Sequence, residues 1–458
     1  MSSESTGLSS QRENWGSRFG FIMAAAGSAI GLGNIWRFPY LVGKHGGAAF
    51  VLVYLILIAV VGSTVMMAEF AIGRASRKST VGAFWVLSDT HSWTLVGWIA
   101  TAAGGFIILS YYAVIGGWTI KYIIGSLTDL MPMAAEGKSG EVFSAFVSNS
   151  QEVVLYQVIF MALTMFIVSG GVGKGIERAC KVMMPLLFLI LIVLIVRSVT
   201  LTGAEKGLEY YLKPDFSKLS GESVLDALGQ GFFSLSLGMS IMITYGSYIS
   251  KEENLANCAG WIITADTLIA LLAGLAIFPA AFAMGVEPGS GAGLTFITLP
   301  GVFAKMPFGN VFSALFFVLL FFAAITSSMS LFEVSVSHCI DDLKWTRKKS
   351  ILIMGFLITL LGIPSALSLA TTPEGNPAIA IAGKSFLDAM DIISNNVMMP
   401  LSAIFTCIFA GWAWYDSARK ELTNQDTITF KLLPAWTVCV RFVAPVAIAV
   451  IFYMGLKW

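Results

Sequence analysis

Charge is what this 458-residue chain has least of. Asp, Glu, Lys and Arg make up 12% of it, against about 25% in soluble domains. That scarcity excludes an ordinary soluble fold, and a 56% hydrophobic composition with mean hydropathy +0.80 places the chain in a bilayer. A net charge of +1 argues against nucleic acid as a partner. Cysteine is sparse and scattered: Cys180, Cys258, Cys339, Cys407 and Cys439 stand singly, which suggests neither a disulfide framework nor a metal knuckle. The three histidines, His45, His91 and His338, stand alone, so a histidine metal cluster is not expected. No nucleophile elbow and no paired catalytic carboxylates stand out, so the chain does not read as an enzyme. A signal peptide is not expected either, because the first 14 residues are polar and the first apolar run is long.

What the chain has instead is long apolar runs. Stretches able to cross about 30 Å of hydrocarbon recur at 15–41, 47–72, 93–126, 152–170, 178–200, 223–249, 256–284, 308–340, 350–370, 385–415 and 434–456. Basic clusters fall in alternate connections, among them "GRASRK" (73–78), "KGIERACK" (174–181) and "KWTRKK" (344–349). The bias of Lys and Arg toward the cytoplasm then predicts a multi-pass protein of the cell membrane with a cytoplasmic amino terminus. An odd span count places the carboxyl terminus outside. The loop "GVEPGSGAGLTFITLPGVFAKMP" (285–307) has apolar patches that suggest a lid dipping back into the protein. No linker divides the chain, so 1–458 reads as one domain.

Two spans look built to break. Gly27–Pro39 reads "GSAIGLGNIWRFP", with glycines, a Ser, an Asn and an Arg where a membrane helix should be uninterrupted. Five spans later "GQGFFSLSLGMSIMITYGSYIS" (229–250) is again rich in Gly and Ser at its centre. Small residues also permit close helix packing, so either stretch alone is ambiguous. Together they fit two five-helix repeats, about 15–200 and 223–415, with an extra helix at about 434–456. A broken helix leaves carbonyls free for a cation and N–H groups free for an anion. Such groups persist in a bilayer only where they line a cavity.

The stretches "NWGSRFGFIMAAAGSAIGLGNIWRFPY", "SYYAVIGGW" (110–118), "GQGFFSLSLGM", "FITLP" (296–300) and "FFAAITSSMSLFE" (321–333) follow one another in this order. In them the chain resembles the bacterial members of the sodium-coupled neurotransmitter symporter family. The resemblance implies an all-α membrane protein of about eleven helices and two inverted repeats, with helices 1 and 6 unwound at mid-membrane. It also implies sodium-coupled symport and two bound Na⁺ ions. One ion would meet Ala29, Asn34, Ser234, Asp266 and the substrate carboxylate. The other would meet Gly27, Ile30, Ala323, Thr326 and Ser327, an all-oxygen shell suited to a hard cation. For "TSS" alone, hydroxyls bonded to their own helix carbonyls would be the simpler reading.

One departure from the family pattern is informative. Animal members carry Asn where this chain has Asp266, and bind chloride beside it. Tyr54, Gln230 and Ser234 remain here, but Asp266 brings its own negative charge and Ala270 replaces a further polar position. A buried carboxylate needs a partner, Na⁺ would supply one, and transport is therefore expected to be chloride-independent.

Gly31 stands where amine carriers hold an Asp, so the substrate is expected to bring its own carboxylate as an α-amino acid. Its carboxylate would meet the amides near Leu32 and Gly33 and the Tyr112 hydroxyl; its ammonium would meet carbonyls of Ala29, Phe233 and Ser236. Ile108, Tyr112, Phe233, Ser236, Met239, Ser327 and Leu331 would line an apolar side-chain pocket that takes hydrophobic or aromatic L-amino acids, with Met239 as a deformable wall. The resemblance makes Arg37 and Asp391 an outer gate pair, and Arg12, Trp15, Ser247, Tyr248 and Asp341 an inner gate. Glu69 would tie down the unwound part of span 6. Gly175 and Pro185 would unwind the start of span 5. A carrier of glycine or another small osmolyte, and a sensor that binds without translocating, are the alternatives.

Overall fold

The computed structural model describes residues 12–285, 294–370 and 376–456. The polar start of the chain, the first part of the 285–307 loop and the last two residues lie outside the described set. Among the described residues the architecture is helical throughout, apart from a two-residue hairpin pairing Ala380–Ile381 with Lys384–Ser385.

Among the described residues nine helices are long and apolar enough to cross a membrane: Ala48–Ser76, His91–Leu127, Ser150–Ser169, Val172–Val199, Leu255–Ala283, Gly309–Asp341, Arg347–Leu367, Phe386–Ala413 and Leu433–Gly455. These are spans 2–5 and 7–11. Span 1 is a pair, Arg18–Ala29 and Gly33–Lys44, bent by 51°. Span 6 is also a pair, Gly221–Ser234 and Ile241–Gly246, each half too short to cross alone. Apolar side chains face outward where no protein covers them. In the 18-residue apolar stretch of each span, 78% is buried in span 3, which runs through the centre, against 22% in span 11 and 28% in span 5 at the rim.

Each break has a local cause. The first half of span 1 opens on Ser17, whose hydroxyl accepts from the Gly20 N–H, and closes at Ile30, where ψ turns to 87°. Between the halves of span 6 the backbone adopts positive φ at Ser236 (56°), Gly238 (73°) and Ser240 (67°). Left-handed backbone is costly for the two serines, so neighbouring contacts must hold the segment. At Gly238 no side chain fits: a Cβ would lie 2.5 Å from the Met399 carbonyl oxygen. The Gly238 N–H donates to Glu69 Oε1 at 2.8 Å, which ties the unwound segment to span 2.

The described part of the 285–307 loop does turn inward. Phe296 is fully buried, with its ring centroid 6.0 Å from Trp36, 5.4 Å from Trp118 and 5.1 Å from Tyr122. The expected unwinding between Gly175 and Pro185 is corrected: the chain reverses at Gly171 (φ 79°) and is helical from Val172 to Val199. Two carboxylates hold this end wound. Glu13 accepts from the Val172 N–H at 2.7 Å, and Glu177 accepts from the Gly16 N–H (2.7 Å) and the Ser17 hydroxyl (3.1 Å).

Candidate functional site

The breaks in spans 1 and 6 meet between spans 3 and 8. In an unbroken helix the Ser28 carbonyl would take the Leu32 N–H. Here that carbonyl accepts the hydroxyls of Ser236 (3.1 Å) and Ser327 (3.0 Å), and the Leu32 N–H faces the Tyr112 hydroxyl at 3.5 Å. Spans 1, 3, 6 and 8 are thus joined through groups that helix formation would otherwise consume.

The joint encloses a cavity of about 30 Å³, room for little more than one water. Every residue assigned from sequence to the substrate lines it: Ala29, Gly31, Leu32, Gly33, Ile108, Tyr112, Phe233, Ser234, Ser236, Met239, Ser327 and Leu331. Ser28 and Ile241 line it too and went unassigned; each is one turn or less from an assigned residue on its own strand of backbone. At Gly31 a Cβ would lie 2.7 Å from Ser327 Oγ and 3.2 Å from the Tyr112 hydroxyl, so this wall has no room for a side chain.

Beside the cavity stands the first candidate ion site. Asp266 is fully buried in span 7. Its carboxylate accepts from Asn34 Nδ2 at 2.8 Å, from the Ser234 hydroxyl at 2.9 and 3.0 Å, and from the Tyr54 hydroxyl at 3.4 Å. Among the described residues no cationic side chain pairs with it. A carboxylate this far from water, served only by neutral donors, calls for a cation, and its neighbours are oxygen-rich. Gln230 is close by, its amide donating to the Gly33 carbonyl at 2.8 Å.

At the second candidate ion site, span 1 touches span 8: a Cβ on Gly27 would lie 3.4 Å from Thr326 Cβ. The Thr326 hydroxyl donates to its own helix carbonyls at Phe322 (2.8 Å) and Ala323 (3.1 Å), while Ser327 reaches across to Ser28. Ile30 and Ala323 are buried alongside.

The two faces of the protein differ. On the amino-terminal face Arg12 is ion-paired with Asp341. Its guanidinium also donates to Ser247 Oγ (3.0 and 2.6 Å) and lies 4.4 Å from the Tyr248 ring centroid. The Trp15 indole donates to the Tyr245 carbonyl at 3.1 Å and packs edge-on against Tyr245 and Tyr248. Sequence reasoning missed the support behind this plug: the Tyr248 hydroxyl donates to Glu333 (2.7 Å), itself held by both arms of Arg347 at 2.8 Å. Just past span 8, burial pushes the Asp342 carboxyl up, but the His338 ring and the Ser79 hydroxyl outweigh it and hold it below the usual carboxylate range.

On the opposite face Arg37 and Asp391 are not joined, contrary to the expected pair. Asp391 accepts from the Tyr111 hydroxyl (2.9 Å) and Asn395 (2.6 Å), and Arg37 lies 5.5 Å from the Phe233 ring centroid. Both line a vestibule of about 410 Å³, with Trp36, Tyr111, Trp118 and Phe233. Tyr112 and Phe233 belong to vestibule and inner cavity alike, so these two rings form the floor between them.

The sodium:neurotransmitter symporter family profile matches residues 12–140 and 144–457. The chain belongs to this family. It is similar to a sodium-dependent transporter of Bacillus subtilis (40% identical, 96% of each chain) and to one of Haemophilus influenzae (38% identical, 97% of this chain and 98% of the other). Among solved structures it is similar to MhsT in complex with L-phenylalanine. The two share 42% sequence identity and a TM-score of 0.88, over 97% of this chain and all of that one. Members of this family are sodium-coupled, multi-pass membrane transporters, and the all-α architecture with two broken helices is that of the family.

Proposed function

We propose that this protein carries hydrophobic and aromatic L-amino acids into the cell by sodium-coupled symport, without need of chloride. The observation that carries this reading is the junction of spans 1 and 6, where freed backbone groups and one unpaired buried carboxylate border an apolar pocket. The likeness to a phenylalanine-bound neighbour at 42% identity supports the substrate class. Na⁺ at Ala29, Asn34, Ser234 and Asp266 would neutralise the carboxylate and receive that of the substrate. A second Na⁺ at Gly27, Ile30, Ala323, Thr326 and Ser327 would draw the Thr326 oxygen out of its own helix and tie span 1 to span 8.

Transport follows by alternating access. The face closed by Arg12–Asp341 is cytoplasmic and the vestibule opens outside, so substrate enters past Tyr112 and Phe233, and Met239 in the inner wall must also yield to enlarge the 30 Å³ cavity. Arg37 and Asp391 then close over it, and the inner plug releases. Spans 1–5 and 6–10 act as two inverted repeats, with span 11 added at the rim.

A screen of the twenty amino acids for binding, in Na⁺ and in K⁺, tests this. Leucine, phenylalanine and tryptophan should bind in Na⁺ alone. Selective binding of glycine would point to the small-osmolyte carrier, and binding without counterflow in proteoliposomes to a sensor.

A further inference from the structure

Directly after the basic stretch 73–78, Ser79 stands buried at the start of the short helix Thr80–Leu87. Its hydroxyl oxygen caps that helix by accepting the Gly82 N–H at 3.1 Å. Its two hydrogens go elsewhere, to successive carboxylates at the end of span 8. The Ser79 N–H donates to Asp341 Oδ2 at 2.5 Å, the same oxygen that Arg12 meets, and the Ser79 hydroxyl donates to Asp342 Oδ2. This second oxygen also lies 2.7 Å from His338 Nδ1. One residue thus bonds both carboxylates, through the stronger kind of bond that a charged acceptor makes. Ser79 is itself fixed from two sides. The next residue, Thr80, donates through its hydroxyl to the Ser240 carbonyl at 3.4 Å, at the left-handed end of the break in span 6. Val81 lies so close to span 3 that a Cβ on Gly97 would come 2.7 Å from its Cα. Arg12, by contrast, lies ahead of the first helix, on non-helical chain. A charge carried on such a segment pairs in one geometry only where its partner is held still.

We propose that Ser79 is a positioning residue for transport: its two donors fix Asp341 and Asp342 as the stationary half of the inner gate, against which Arg12 closes. This rests on the reading of Arg12–Asp341 as that gate and supplies what holds it in place. The rival role is helix capping alone. Two variants of one shape separate the roles. Asn and Asp both cap as well as Ser, but only Asn keeps a side-chain hydrogen to give a carboxylate.

The test is hydrogen exchange at residues 12–17 in the full chain, for the wild type, Ser79→Ala, Ser79→Asn, Ser79→Asp, Arg12→Ala and the double variant Arg12→Ala/Ser79→Ala. Ser79→Ala should raise exchange about fivefold, the size of one hydrogen bond. Ser79→Asp should exchange at least about fivefold faster than Ser79→Asn. The double variant should exchange no faster than Arg12→Ala, because holding the partner has no effect on the gate once Arg12 has gone. Equal exchange in the Asn and Asp variants, no rise in Ser79→Ala, or effects that multiply in the double variant overturn the proposal. Where Ser79→Ala does not fold, the Asn and Asp pair decides, since both keep the cap. No rise in Arg12→Ala overturns the gate reading itself, and this inference with it.

Discussion

Asp266 concentrates the electrostatic problem of the site: a fully buried carboxylate among hydroxyls and an amide, with no cationic side chain as partner among the described residues. If Na⁺ supplies the missing charge, Asp266→Asn should raise the Na⁺ concentration for half-maximal binding at least about tenfold, or about 1.4 kcal/mol. It should also make uptake respond to chloride, whereas wild-type uptake should be unchanged when chloride is replaced by gluconate. Gly31 poses a steric problem instead. Gly31→Ala puts a methyl 2.7 Å from Ser327 Oγ, and overpacking of this kind costs about 1–3 kcal/mol. Substrate affinity should fall by roughly tenfold or more while the purified protein keeps a single symmetric elution peak. At this scale the sequence was legible where motif register fixes a side chain, which is why the assigned pocket residues share one cavity. Ser28 was not, although it lines the same cavity, because its contacts with Ser236 and Ser330 arise only where the breaks of spans 1 and 6 meet. The separation of Arg37 from Asp391 was not either, since it belongs to a conformation.

At the scale of elements, span 6 shows why hydropathy and small-residue content revealed its break. Its halves are helical because backbone at membrane depth must satisfy its own hydrogen bonds, and its centre is held open by Glu69 and by left-handed turns at Ser236, Gly238 and Ser240. Gly238→Ala combines positive φ with a contact at 2.5 Å. It should lower thermal stability by about 2 kcal/mol and weaken ligand binding. Span 5 marks the limit of such reading. The resemblance implied an unwound start around Gly175 and Pro185, but the segment is helical, with Glu13 and Glu177 bonded across it by tertiary contact. The same contacts belong to a closed amino-terminal face. Arg12→Ala removes the ion pair with Asp341 and both bonds to Ser247. Hydrogen exchange at residues 12–17 and 247–249 should then rise by about tenfold as this face opens more often.

For the whole molecule, one face is plugged by Arg12, Trp15, Tyr248 and Glu333 while the other opens into an aromatic vestibule of about 410 Å³. One-sided access of this kind lets an ion gradient do work. Each charge carried through 100 mV yields about 2.3 kcal/mol, and each tenfold gradient about 1.4 kcal/mol. Two sodium ions per substrate therefore support roughly 10⁵-fold accumulation, and one supports roughly 10²–10³-fold. The central claim is that the freed backbone ends of spans 1 and 6 bind sodium and an amino acid together. Its most direct measure is concentrative uptake of labelled phenylalanine into proteoliposomes under an inward Na⁺ gradient with a negative interior. The account predicts accumulation far above the external concentration that vanishes when K⁺ replaces Na⁺. Equal uptake in either cation would contradict it.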